Sequence, residues 1–180
     1  MKTRFQEEHA RRYTQPPPEW EAVFRFVAVS ALEYAPPDFR VEGLIECDTL
    51  GLVFGDPGCG KSFLGVDLAL SVATGHPFHN RPVRQGAVFY IAGEGHSGLV
   101  RRFHAWAGER GRSLEGVPLF KSECAAQFLD EKSARSVEHA ISQLAARHGK
   151  PAMIVVDTLA RNFGPGDENA TKEMSAFVAA

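Results

Sequence analysis

The chain has 180 residues, of which 44% are hydrophobic and 23% charged, and its formal net charge is −2. The length and composition are typical of one globular α/β domain with its own hydrophobic core. The slightly negative net charge excludes a positive potential over the whole surface that would attract nucleic acid. A nucleic-acid site would therefore have to be a local patch. The three cysteines show neither metal nor disulfide spacing, which favours a reducing, cytoplasmic compartment.

The first part of the chain consists of a polar segment and a proline linker. Residues 1–14 mix basic and acidic side chains without the apolar stretch of a secretory signal, and we expect them to be mobile. The prolines of residues 15–18 predict a stiff linker, so that the folded domain would occupy residues 19–180. No run in the chain is long enough for a membrane span. The short elements predicted next are a helical turn over residues 19–23 and strands over residues 25–29 and 41–45.

A glycine-rich loop follows and dominates the interpretation of the chain. An apolar, strand-like run over residues 50–54 leads into it, and a helical pattern then extends to the break at Gly75. The loop fits G-x-x-x-x-G-K-[ST], the P-loop that cradles nucleotide phosphates, because glycines let the phosphates approach backbone N–H groups at a helix N-terminus. The residues predicted to bind the nucleotide are Gly55, Asp56, Pro57, Gly58, Cys59, Gly60, Lys61, Ser62 and Phe63.

Three residues of the loop have individual roles in this prediction. Lys61 would place a mobile positive charge beside the β- and γ-phosphates of ATP and act in catalysis, and the Ser62 hydroxyl would join the shell of Mg²⁺. Cys59 lies beside Lys61 at the helix N-terminus, a setting that favours a reactive thiolate. The alternative for Cys59 is that it is only a small residue that fits the loop.

Apolar runs and amphipathic patterns alternate after the loop, as strands and helices of a parallel sheet do. The predicted strands cover residues 87–92, 117–120 and 152–157, of which the first and last are apolar enough to be buried on both faces. The predicted helices cover residues 99–106, 132–148 and the segment from residue 169, with a loop over residues 161–166. The fold class is therefore α/β, with a mostly parallel sheet covered by helices on both faces.

Two acidic residues end the buried strands. Asp157 lies downstream of the P-loop in the position of a Walker B aspartate, which accepts hydrogen bonds from the shell of Mg²⁺. Glu94 ends the other strand between two glycines, at the sheet edge where ligands bind in open α/β folds. Glu94 is either a general base that positions water or a solvated turn residue. Asp157 has the alternative of being an ordinary acid at a strand end.

Two blocks of the sequence resemble a known family. Residues 88–95, VFYIAGEG, are similar to the second conserved block of RecA-like ATPases. Residues 154–169, which begin with IVVDTLARNFG, resemble the hexameric plasmid-replication helicases of the RepA type and related phage and prophage ATPases. The resemblance implies a RecA-like P-loop NTPase core in which the Asp157 strand lies between the P-loop strand and the Glu94 strand. It also implies that Glu94 is the catalytic glutamate.

The same resemblance implies an activity and partners. It points to ATP hydrolysis with Mg²⁺ in a DNA helicase that acts on single-stranded DNA as a homo-oligomeric, hexameric ring. Such helicases continue to a histidine sensor, DNA-binding loops and an arginine finger, so residues 19–180 would be an incomplete RecA-like domain, truncated at its C-terminus. The alternatives are a non-motor ATP-binding module or degenerate fragment, and a small-molecule kinase, which the absence of an arginine-rich lid segment disfavours.

Overall fold

The computed structural model describes residues 26–167 and 170–179, and the chain divides into two units, Met1–Pro36 and Pro37–Ala180. The described part of the first unit holds one 3₁₀ turn, Val29–Ala31. The strand predicted over residues 25–29 is therefore wrong over its described residues, whose apolar side chains are exposed instead of packing in a sheet. The predictions for residues 1–24, including the domain boundary after residue 18, lie outside the described residues.

The second unit begins with a two-stranded antiparallel hairpin of β1 (Phe39–Val41) and β2 (Ile45–Glu46). The single strand predicted over residues 41–45 is wrong, because residues 42–44 turn the chain back on itself. The Leu44 N–H donates to the Val41 carbonyl at 2.9 Å across this turn. The apolar residues of this segment lie at the end of β1, in the turn and at the start of β2.

A parallel sheet of three strands forms the centre of the second unit. Its strands are β3 (Ala87–Ala92), β4 (Leu119–Lys121) and β5 (Pro151–Asp157), in the order β4–β3–β5. The register pairs Ala92 with Asp157, so that β3 and β5 end side by side. The helices are α1 (Lys61–Thr74), α2 (His96–Glu109), α3 (Glu131–His148), α4 (Leu159–Asn162) and α5 (Thr171–Ala179).

Helices cover both faces of this sheet, which confirms the predicted α/β class. On one face, the buried side chains of β3 pack with those of α1 and α2 in a single core. On the other face, Phe89 contacts Phe120, and the Phe120 ring lies 4.8 Å from His148 of α3. The predicted burial of β3 on both faces is confirmed, since all six of its residues are buried. Among the described residues, none of the helices combines the length and the apolar character that crossing a membrane requires.

The apolar run before the P-loop is the main departure from the predicted fold. Residues 50–54 form no strand, and the side chains of Leu50, Leu52 and Phe54 are exposed. The position of the Asp157 strand beside the Glu94 strand is confirmed, but the P-loop strand expected on its other side is wrong in the described structure. An apolar pattern supplies no partner for backbone hydrogen bonds, and Gly51 weakens a strand further. The predicted burial of β5 on both faces is wrong: within the described part of the chain β5 is an edge strand, and it is only partly buried.

The chain after β5 is also more ordered than predicted. The loop expected from residue 161 is wrong at its start, because Leu159–Asn162 forms the helical turn α4. The side chain of Asn162 is fully buried and anchors this turn: its Nδ2 donates to the Thr158 carbonyl at 2.8 Å, and its Oδ1 accepts from the Ala126 N–H at 2.9 Å. Gly93 makes room for α4, since a Cβ at residue 93 would overlap the Cβ of Arg161.

We expect Asn162→Ala to lower the free energy of unfolding by about 1–3 kcal/mol, because it leaves the buried N–H of Ala126 without its acceptor. Urea denaturation of the wild type and the variant measures this difference. Gln143→Ala is the matched control, since Gln143 is an exposed amide on α3 and its loss should change stability by less than about 0.5 kcal/mol. Equal stabilities of the two variants would contradict the anchoring role.

Candidate functional site

The P-loop leads directly into α1 through a left-handed glycine. Gly60 is the N-cap of the helix, with φ of 97°, a conformation that a residue with a Cβ rarely adopts. No side chain caps α1, and no acidic residue lies in its first turn, as the fully described helix shows. The free N–H groups and the positive end of the helix dipole are therefore available to an anion, as the predicted phosphate site requires.

The ammonium group of Lys61 lies inside the loop. Its Nζ donates to the carbonyl oxygens of Gly55 at 2.7 Å and of Asp56 at 2.9 Å, and it lies 3.9 Å from the sulfur of Cys59. These contacts close the loop on itself and hold the positive charge at its centre. Because the partners are neutral carbonyls, the ammonium can exchange them for phosphate oxygens, with which it forms stronger charge-assisted hydrogen bonds.

The two residues predicted to hold the metal are brought together by the fold. The Ser62 hydroxyl, at the start of α1, donates to Oδ1 of Asp157, at the end of β5, over 3.1 Å. A hydroxyl and a carboxylate at this distance are hard oxygen donors of the kind that Mg²⁺ prefers, with further positions left to water and phosphate. Ser62 and Asp157 therefore fit the metal that the P-loop implies.

Tyr90, which belongs to the apolar run of β3, completes this arrangement. The Tyr90 hydroxyl, from the middle of β3, donates to Oδ2 of Asp157 over 2.7 Å. Burial raises the pKa of Tyr90 well above its ordinary value, and the hydrogen bond to Asp157 raises this pKa further, so the hydroxyl remains a donor. The sequence signal for this contact is a tyrosine in a strand predicted to be buried, because a buried tyrosine hydroxyl normally forms a hydrogen bond.

Glu94 lies next to this cluster at the end of β3. The Gly93 N–H donates to the Asp157 carbonyl at 2.7 Å, so the backbones of the two strand ends are joined directly before Glu94. The Glu94 carboxylate accepts from Nε of Arg161 at 3.0 Å, and the two side chains are 55% and 65% exposed. Such an exposed ion pair contributes at most about 1 kcal/mol. The partnership with Arg161 was not predicted, since nothing in the spacing of residues so far apart indicates it.

Phe63 lies at the edge of the site. Its exposed ring carries the guanidinium of Arg102 at 4.4 Å from the ring centroid. The ring lines an open groove between α1 and α2 with a volume of about 760 Å³, together with Arg101 and Trp106. The structure therefore directs Phe63 toward this groove, while the other predicted residues form the loop and the first turn of α1. Its predicted contact with the nucleotide remains a prediction.

Together, the uncapped helix, the loop closed around a lysine and the paired serine and aspartate define a P-loop nucleotide-binding domain. A family model described as an AAA domain matches residues 14–180, and the chain therefore belongs to the AAA domain family. This membership makes it an AAA-type, nucleotide-binding domain of the P-loop ATPase class. No curated protein and no solved structure matches the chain.

We expect Lys61→Ala to weaken the binding of ATP in the presence of Mg²⁺ by about 2–3 kcal/mol, because it removes the charged donor at the centre of the loop. Isothermal titration calorimetry measures the affinity. Lys132→Ala, which removes an exposed lysine from the first turn of α3, is the control and should bind like the wild type. Equal affinities for all three proteins would exclude the loop as the phosphate site.

The exposed sulfur of Cys59 allows an independent test of the same site. We expect iodoacetamide at neutral pH to label Cys59 faster than Cys124, and ATP with Mg²⁺ to protect Cys59, since Cys59 lies beside the Lys61 ammonium in the loop. Cys47 is the control for protection, because its sulfur also has a cationic neighbour, Nη2 of Arg84 at 2.7 Å, but lies outside the loop. Mass-spectrometric mapping gives the labelling rate of each cysteine. If Cys59 labels no faster than Cys124, or if the nucleotide leaves the Cys59 rate unchanged, Cys59 is only a small residue that fits the loop.

Proposed function

We propose that the domain hydrolyses ATP, with Glu94 as the base that orients and deprotonates the attacking water. The observation that supports this proposal is the grouping of Ser62, Asp157 and Glu94 at one edge of the sheet. Ser62 contacts Asp157 at 3.1 Å, and the Gly93 N–H donates to the Asp157 carbonyl, so that Glu94 directly follows the residue that joins the two strand ends. A phosphate-binding loop, an oxygen pair for a metal and a nearby carboxylate are the groups that phosphoryl transfer to water needs.

In this mechanism the residues of the chain position the reactants. The free N–H groups of α1 and the Lys61 ammonium bind the phosphates, and Ser62 with Asp157 would hold Mg²⁺. When bound by these residues, Mg²⁺ would neutralise part of the negative charge on the phosphates. Glu94 accepts the proton of the water. Arg161 contacts only Oε2 of Glu94, and the ion pair is largely exposed, so that replacing Arg161 by water at this oxygen costs little free energy.

We further propose that the hydrolysis drives a replicative DNA helicase of the RepA type, which acts as a hexameric ring on single-stranded DNA. The support for this step is the likeness of residues 154–169 to that family and of residues 88–95 to RecA-like ATPases in general, together with membership of the AAA domain family. The competing possibility is an ATP-binding module that unwinds nothing. The two differ in what they do with DNA, so one assay separates them.

Glu94→Gln should reduce ATP hydrolysis by roughly 10²–10⁴-fold while leaving ATP bound, because it keeps the shape of the side chain but cannot accept the proton. Phosphate release measures hydrolysis, and calorimetry measures binding. Glu138→Gln, on the exposed side of α3, is the matched control. A Glu94→Gln variant that hydrolyses ATP at the rate of the wild type would show that Glu94 is only a turn residue.

The helicase step is tested by strand displacement with the product of the longest reading frame that contains this chain. We expect ATP-dependent displacement of a labelled strand by the wild type and none by Lys61→Ala, which lacks the ammonium of the P-loop. ATP hydrolysis without displacement would favour the non-motor alternative. The absence of both activities would contradict the whole proposal.

A further inference from the structure

Both carboxylate oxygens of Asp157 are occupied by hydroxyl donors from different elements. Oδ1 accepts from Ser62 of α1, and Oδ2 accepts from Tyr90 of β3. The two donors differ in what they can do. Ser62 lies in the P-loop, where its hydroxyl is one of the two proposed metal ligands, whereas Tyr90 lies in the middle of β3 and its side chain is fully buried. The hydrogen bond from Tyr90 therefore acts on the orientation of the Asp157 carboxylate.

The hydroxyl of Tyr90 is fixed in place by the packing of its ring. The residue is fully buried, and the ring meets Phe103 of α2 edge to face at a centroid distance of 5.8 Å. On the other side, α1 passes close to the hydroxyl at Gly65, where a Cβ would lie 3.3 Å from the phenol oxygen. Because burial and these contacts confine the ring, its hydroxyl, together with that of Ser62, restricts the rotation of the Asp157 carboxylate about its side-chain bond.

We propose that Tyr90 is a positioning residue for the magnesium site: it holds Oδ2 of Asp157 so that Oδ1 is presented to Ser62 and the metal. This inference rests on the binding of Mg²⁺ with the nucleotide, which is part of the proposed function, but it does not depend on hydrolysis. Residues that orient a metal ligand commonly change metal affinity by 10–100-fold when they are altered. Gly65 supports the same geometry, because it leaves space for the hydroxyl.

The test is Tyr90→Phe, which keeps the ring and removes the hydroxyl. Affinity for a non-hydrolysable ATP analogue is measured with Mg²⁺ and with EDTA. The gain from Mg²⁺ is the ratio of the affinity for the analogue with Mg²⁺ to the affinity in EDTA. We expect the affinity of Tyr90→Phe in EDTA to equal that of the wild type and its gain from Mg²⁺ to fall on the order of tenfold. Tyr34→Phe, which alters an exposed tyrosine, should retain the full gain. An unchanged gain in Tyr90→Phe, or an equal loss with and without Mg²⁺, would overturn the proposal.

A double-mutant cycle with Asp157→Asn separates positioning from general packing. If Tyr90 acts through Asp157, Tyr90→Phe should have no further effect on the gain from Mg²⁺ once Asp157→Asn is present. An undiminished effect in that background would refute the role. Thermal unfolding verifies that the variants fold. Should Tyr90→Phe be unstable, Gly65→Ala perturbs the same hydroxyl, because the added Cβ would lie 3.3 Å from the phenol oxygen, and it should change the gain from Mg²⁺ while leaving the affinity in EDTA unchanged.

The inference and the proposed hydrolysis fail in different ways. A wild type that binds the analogue more tightly with Mg²⁺ but does not hydrolyse ATP would end the proposed activity and leave the role of Tyr90 intact. A wild type whose affinity does not respond to Mg²⁺ would end the role of Tyr90, whatever its rate of hydrolysis.

Discussion

The side chain of Asp157 is the point on which the site depends. The two carboxylate oxygens join the first turn of α1 to the middle of β3 through Ser62 and Tyr90. The backbone carbonyl of the same residue accepts a hydrogen bond from the N–H of Gly93, directly after β3. Three elements that are distant in the sequence are thereby held at one edge of the sheet. Because each hydrogen bond is directional, these contacts fix the positions of the P-loop, the Ser62–Asp157 pair and the backbone before Glu94 relative to one another.

The parts of the site that could be predicted are those encoded by local patterns. The glycines and lysine of the P-loop, the buried strand β3 and the acid at the end of β5 all follow from residue types at short spacings. The sequence also indicated that the strands of Glu94 and Asp157 lie side by side, although that step needed a family resemblance. In the structure, β3 and β5 are parallel neighbours whose register pairs Ala92 with Asp157, so the two strands end side by side.

The parts that could not be predicted are contacts between residues far apart in the chain. Tyr90 and Arg161 are each 67 residues away from the acids they contact, a separation at which no periodicity carries information. The strand expected over residues 50–54 failed for a related reason. Apolar side chains indicate that a segment prefers to be buried, but a strand also requires a neighbouring backbone, and β5 has no such neighbour on its outer side among the described residues.

The closure of the P-loop around Lys61 has a thermodynamic consequence. Because the ammonium already bridges the carbonyls of Gly55 and Asp56, the loop has given up much of its conformational entropy when the chain folds. Such preorganisation removes a cost that a flexible loop would meet at each encounter with a ligand. The exchange of carbonyl partners for phosphate oxygens is then mainly electrostatic, so the affinity of the loop should decrease as ionic strength screens the charges.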